Sequence, residues 1–229
     1  MKLLWLVLLA SCARLPVPPL SEELKKENVL HISFEENRTE DQSGSGNHAM
    51  KREGYYSLPA AGGVAQSASA LTLSLWVKIT DDVKAAQDLM AFSIAGKSPS
   101  PLSRASIRLI EGNRFLGFGR SLDQEQPQEV CATLGLQKHR WYHLVAIINY
   151  SESTLQLFVD GEVIASQGKP KFHARQTPAT PSASASIGAE DDGSASHFKG
   201  ELAEALAWRR ALSALDIKHL YESQKGHFR

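Results

Sequence analysis

From residue 29 onward the chain reads as short apolar runs divided by turn residues. Leu30, Ile32 and Phe34 alternate with His31 and Ser33, and Leu71, Leu73, Leu75 and Val77 alternate with Thr72, Ser74 and Trp76. Both have the two-residue period of a half-buried strand. Residues 89–94 form a further apolar run. Residues 106–110 and 115–118 flank Glu111-Gly112-Asn113-Arg114, which predicts a hairpin with Gly and Asn at the bend. Residues 141–148 predict a strand and 149–153 a turn, with Leu155, Leu157 and Val159 as the next alternating face. Asp160-Gly161 then predicts a two-residue turn in which Gly takes positive φ at no steric cost, and 162–165 return. Residues 177–186 are rich in Pro, Ala, Ser and Thr and predict a long surface loop. In 202–208 the period predicts a late strand with Ala203, Ala205 and Ala207 on one side and Leu202, Leu206 and Trp208 on the other.

One helix is predicted near the end. Ser213 caps it, Asp216 completes a capping box, and Leu212 with Ile217 makes a hydrophobic staple. Ile217, Leu220 and Tyr221 give it one apolar face. Many short alternating strands need a second sheet to bury their apolar side. The pattern therefore predicts an all-β, two-sheet antiparallel sandwich with a short C-terminal helix, in one domain.

Composition fits that picture. The 229 residues are 42% hydrophobic, enough for one large all-β core without a disulfide staple. Lys+Arg and Asp+Glu are 25 each, for a net charge of zero. A balanced chain carries no electrostatic footprint for nucleic acid or for anionic lipid.

The first residues read as an address. Met1-Lys2 is a short basic start, and 3–10 is an apolar run too short to span a bilayer. Leu9-Ala10-Ser11-Cys12 resembles the lipobox of bacterial lipoproteins. That resemblance implies a diacylglycerol on the Cys12 thiol, cleavage just before it, and stable anchoring by acyl chains. Residues 1–11 are then the signal peptide of an exported protein of the cell envelope, at the outer membrane or cell surface. Residues 12–28 are the lipidated cysteine and a tether, with 29–224 the sandwich and 225–229 a tail. An ordinary signal peptide with a chance cysteine is the alternative. Arg14-Leu15-Pro16-Val17-Pro18-Pro19 predicts a semi-rigid extended stretch, and polar 21–28 a brief helix. A lipidated Cys12 leaves Cys131 as a lone thiol, expected to be a small buried hydrophobe.

Three separated segments resemble one family in the right order. Leu30-His31-Ile32-Ser33-Phe34 followed by Asp41-Gln42-Ser43-Gly44-Ser45-Gly46-Asn47 is similar to the opening of laminin-G-like, concanavalin A-like jelly rolls. Trp141-Tyr142-His143-Leu144-Val145 and Leu155-Gln156-Leu157-Phe158-Val159-Asp160-Gly161 resemble the central strand and hairpin. Ile187-Gly188, then Phe198-Lys199-Gly200-Glu201-Leu202-Ala203-Glu204, then Arg210-Ala211-Leu212-Ser213 resemble the closing signature before a final helix. The resemblance covers residues 29 to about 223 and implies a jelly-roll topology. It also implies structural roles for Trp141 and His143 and a turn role for Asp160.

The resemblance further implies a calcium site beside the Asp-x-Ser-Gly segment. Calcium needs several oxygen ligands, and Asp41, Asn47 and Glu204 are the candidates, with Asp191-Asp192 a second acidic pair. Ala203 stands where relatives carry Asp, which removes one carboxylate. Glu204, as its strand neighbour, is expected to point the opposite way.

The sequence offers no catalytic constellation. Related glucanases place paired carboxylates on one strand face. Here Glu35-Glu36 are adjacent and so would face opposite sides, and Glu190-Asp191-Asp192 falls in a predicted loop. There is no G-x-S-x-G elbow, H-E-x-x-H or phosphate-cradling glycine loop. The expectation is a non-enzymatic binding module recognising carbohydrate, with Tyr55, Tyr56 and Trp208 as candidate stacking faces. The alternative is a protein-interaction or structural module of the envelope without a sugar ligand.

Overall fold

The structure, a computed structural model, describes residues 17–34, 38–93, 103–121, 128–168, 171–172, 175–177, 184–190 and 193–228. Cys12 and the signal segment, Glu35-Glu36 and Asp191-Asp192 lie outside the described residues.

Among the described residues thirteen strands and two short helices follow in order, with a 3-10 turn at Ala61–Gly63. They are α1 (Glu22–Lys25), β1 (Asn28–Ser33), β2 (Met50–Lys51), β3 (Tyr56–Ser57), β4 (Ala70–Ile79), β5 (Gln87–Ser93), β6 (Ser103–Ile110), β7 (Arg114–Gly119), β8 (Gln128–Gly135), β9 (Trp141–Asn149), β10 (Thr154–Val159), β11 (Glu162–Gly168), β12 (Ala185–Ile187), β13 (Gly200–Trp208) and α2 (Ala214–Gln224). They form a six-stranded sheet, β1-β13-β4-β9-β10-β11, and a seven-stranded sheet, β2-β3-β12-β5-β6-β7-β8. The paired strands are antiparallel throughout.

The two-residue period decides what lies between the sheets. Leu71, Leu73, Leu75 and Val77 of β4 meet Phe115 of β7 and Tyr142, Leu144, Ala146 and Ile148 of β9 in one buried cluster. At Gly117 a side chain would run into Leu157 and Ala146, so the second sheet approaches closely there because the residue is glycine. The predicted hairpins form as expected: Gly112 and Asn113 have φ of 77° and 57°, and Asp160 and Gly161 have 52° and 82°, the conformation of a type I′ turn.

The outer face of the six-stranded sheet is covered as well. Val145 and Ile147 of β9, Phe158 of β10 and Leu206 and Trp208 of β13 pack under Leu20, Leu24, Leu212, Ile217 and Leu220. Helix α2 starts on the expected capping box: Ser213 Oγ accepts from Asp216 N, and Asp216 Oδ2 accepts from Ser213 N. Leu212 and Ile217 sit together in the cluster as the staple requires.

Two boundaries differ from the expectation. Residues 17–28 are docked on the sandwich, not a free tether. Leu24 O accepts from the Trp208 indole at 2.7 Å, and Arg210 donates to Glu23 O and Lys26 O. A buried indole N–H at the end of β13 needs an acceptor, and α1 supplies it. Residues 225–228 are not a loose tail either, because Phe228 is buried against Trp76. The third difference is inside β13. Its register shifts between Leu202 and Ala205, a bulge. Ala205 and Ala207 face the inter-sheet core, while Ala203 joins Trp76 on the outer side. Strict alternation fails at that step.

Candidate functional site

A lined cavity lies on the outer face of the six-stranded sheet. In the β4–β9 register Lys78 pairs with Trp141 and Trp76 with His143, so these four side chains share one face. The Lys78 ammonium lies 5.3 Å from the Trp141 ring centroid. Trp76 forms the floor. Its ring stacks on His143 at 5.2 Å, Tyr221 at 5.8 Å and Phe228 at 4.3 Å. Its indole N–H donates to Gln224 Oε1 at 2.7 Å. Phe228 also reaches Trp141, at 5.4 Å. Helix α2 thus brings Tyr221 and Gln224 to the sheet, and the chain after it adds Lys225 and Phe228. His139, Arg140 and Asp160 complete a groove of about 580 Å³.

Its charges come in pairs. Arg140 donates to Asp160 Oδ2 at 2.6 Å, Lys78 pairs with Glu201 at 2.6 Å, and Lys225 pairs with Glu222. Asp160 Oδ1 accepts from His143 N at 3.0 Å, which ties the β10–β11 turn to the groove floor. Burial first, and the Asp160 carboxylate next, raise the Tyr221 phenol above its ordinary value, so it stays a neutral O–H. The groove therefore offers aromatic faces beside both donors and acceptors and carries little net charge. Among the described residues its one lining carboxylate, Asp160, is committed to Arg140 and a backbone N–H. His143 is buried, with Nε2 2.8 Å from Ser74 Oγ and Nδ1 without a hydrogen-bond partner, so only one of its ring nitrogens makes the polar contact expected. Trp141 does more than pack, because it is half-exposed and forms a wall. The sequence singles out Trp141 here, while its cross-strand partner Lys78 is set by the β4–β9 register. The contributions from α2 and Phe228 carry no sequence signal for this surface.

The tyrosines expected to stack do line a smaller cavity. Tyr55 and Tyr56, with Lys51, Arg52, Gly54, Phe198, Gly200 and Leu202, surround about 210 Å³. Tyr55 stacks on His197 and Tyr56 packs on Phe34 at 4.4 Å. Trp208, expected as a third stacking face, is not one. It is fully buried with its N–H bonded, and it has no free face for a ligand.

The candidate calcium ligands go to separate partners. Asp41 Oδ1 accepts from His31 N and Ser43 N, and Oδ2 accepts from Ser43 Oγ and Asn47 N. Four donors fill the lone-pair capacity of one carboxylate. The Asn47 amide donates to Val29 O. Glu204 was expected to point away from Ala203, but the bulge keeps both on the outer side, where Glu204 Oε2 lies 2.8 Å from His31 Nε2. Among the described residues no group of three His, Cys, Asp or Glu is placed to hold a metal. These three residues do not fit a calcium cage. Saturating calcium is accordingly expected to leave the melting temperature unchanged, and a rise of several degrees on titration would show that a cage forms. Cys131 is half-buried on β8.

A family model described as concanavalin A-like lectin/glucanases superfamily matches residues 51–218. No curated protein matches the chain in sequence. Among solved structures, domain 4 of a GH43 extracellular arabinanase from Geobacillus stearothermophilus, in complex with arabinotriose, aligns with a TM-score of 0.61 at 18% identity, over 85% of this chain and 98% of that one. The CBM40 of a Ruminococcus gnavus IT-sialidase, bound to alpha2,3 sialyllactose, aligns with a TM-score of 0.60 at 17% identity, over 73% and 91%. A Trypanosoma rangeli sialidase aligns with a TM-score of 0.58 at 16% identity, over 93% of this chain but 34% of the enzyme. At such identities the likeness is one of fold.

Proposed function

The chain belongs to the concanavalin A-like lectin/glucanases superfamily, and from that premise we propose that it is a non-catalytic sugar-binding module whose binding surface is the Trp76–Trp141 groove. One observation carries the reading. The groove sets the half-exposed Trp141 ring beside the Tyr221 hydroxyl and the Arg140–Asp160 pair. The apolar face of a sugar ring stacks on such an aromatic, while its hydroxyls need donors and acceptors together. The like-folded domains bound to arabinotriose and to sialyllactose support it. The non-catalytic part rests on the lone, committed carboxylate, since glycoside hydrolysis uses two facing carboxyl groups. Similarity to about a third of a sialidase does not supply a second one.

The same proposal places the module on an exported chain held at the outer membrane or cell surface through acylated Cys12. Among the described residues no helix is long and apolar enough to cross a membrane.

A glycan array probed with the chain carrying Cys12→Ser tests the binding. Trp141→Ala is expected to weaken the best sugar about tenfold or more, while Tyr55→Ala stays within about twofold. The reverse ranking moves the site to the smaller cavity, and a blank array sinks the sugar reading. A second reading, a protein-binding module, draws on the apolar residues exposed on the edge strands, Leu134 of β8 and Val163 and Ile164 of β11. A blank array together with a protein crosslinked at that edge favours it.

A further inference from the structure

We infer that the groove faces the bilayer that holds the chain, so that the saccharide it takes is one displayed in the headgroup layer. The inference rests on the sugar-binding and anchoring readings above and adds an orientation to them.

The described chain begins at Val17, and Val17 packs against Trp76, Ala203 and Phe228, the cluster that Trp141 and Tyr221 also join. The chain therefore enters the sandwich on the groove's own side. From Cys12 to Val17 there are five Cα steps. At no more than about 3.6 Å each, they reach roughly 18 Å. A domain of this size is roughly 40 Å across. A tether shorter than half that width cannot let the molecule turn its far side to the membrane. The anchor thus fixes which face is near, and the charge balance of the chain plays no part in it. The chemistry of the near face is in keeping: a half-exposed indole and a phenol flanked by Lys78, Arg140 and Lys225 suit the headgroup zone, where Trp and Tyr settle and long cationic side chains find polar partners. The opposite face, the outer side of the seven-stranded sheet, carries Glu129 of β8, which pairs with Phe118.

Proximity quenching tests this with the full, acylated chain. In a Cys131→Ala background, Lys225→Cys and Glu129→Cys are each labelled with a small fluorophore. The proteins are reconstituted in phosphatidylethanolamine/phosphatidylglycerol vesicles carrying a nitroxide on the headgroup. The label at position 225 is expected to be quenched several-fold more than the label at 129. Inserting a long Gly/Ser linker between Arg14 and Leu15 is expected to bring the two close to equality. Equal quenching without the linker, or stronger quenching at 129, overturns the inference while leaving the array result intact. Fractionation of Cys12→Ser runs in parallel. If that variant stays with membranes, the anchoring reading fails and the orientation falls with it. If it is released and quenching is still equal, the orientation alone fails.

Discussion

Replacing Trp208 with alanine is expected to lower the stability of the fold by about 3–5 kcal/mol, read as a fall in the urea midpoint with an unchanged slope. Trp208 ends β13 on the outer face of the six-stranded sheet, fully buried. It is enclosed by Leu20 and Leu24 from the N-terminal segment and by Leu212, Ile217 and Leu220 around α2. Removing the indole opens a cavity between three separate pieces of chain, and α1 is too short to hold itself without tertiary support. The Leu24 carbonyl also loses its donor. Trp208→Phe keeps most of the packing and leaves the Leu24 carbonyl without its donor, so it is expected to cost about 1–3 kcal/mol, less than the alanine variant. Sugar affinity should be untouched in Trp208→Phe, because the ring never reaches the groove. A loss of binding without a loss of stability would contradict the burial argument.

That residue shows where sequence reasoning reached its limit. A two-residue period tells which side chains share a face, and it did so for Leu71 to Val77 of β4 and for Leu155, Leu157 and Val159 of β10, all of which meet the core. It does not tell whether the other face meets water. Here the outer face is roofed by α1, α2 and the segment before β1, so Trp208 is as buried as the core. Local chemistry was legible where it is local: the Ser213–Asp216 box and the Asp160-Gly161 turn formed as their residues require. The bulge at Ala203–Glu204 was not, since nothing in that run departs from a strand pattern, and it turned Ala203 to the outer side that Glu204 already faces. Strand β8 was missed because it is an edge strand whose exposure follows no clean alternation. The groove was half legible. The motif around Trp141 predicts a packing role, while its partners in the groove arrive from β4, the β10–β11 turn, α2 and Phe228. No spacing along the chain brings those segments together.

The second large effect concerns acid. His143 is fully buried on β9, with Nε2 against Ser74 Oγ and with Nδ1 lacking a hydrogen-bond partner. Its ring clusters with Trp76, at 5.2 Å, and Tyr221, at 6.2 Å. Burial, which penalises the imidazolium, pushes its pKa down from 6.5 to about 3. Between those two values the unfolded chain binds a proton that the folded chain refuses, so stability rises with pH across that window and is lost as the pH falls through it. The contribution from this one residue is on the order of 4 kcal/mol between neutral pH and pH 3. His143→Asn keeps a polar group near Ser74 but does not titrate. The carboxylates of the wild type titrate in the variant too, so they cancel in the difference between the two. That difference is expected to be flat above pH 7. Below pH 6 the wild type should lose about 1.4 kcal/mol per pH unit relative to the variant. Parallel curves down to pH 4 would show that the imidazole is not held neutral. Because the ring underlies Trp76 and Tyr221, and its backbone N–H bonds Asp160, an imidazolium there would lift the groove floor along with α2. Across that window the folded chain keeps the ring neutral, so the sugar affinity of the folded wild type is expected to match that of His143→Asn there and to fall below it only as the pH nears 3.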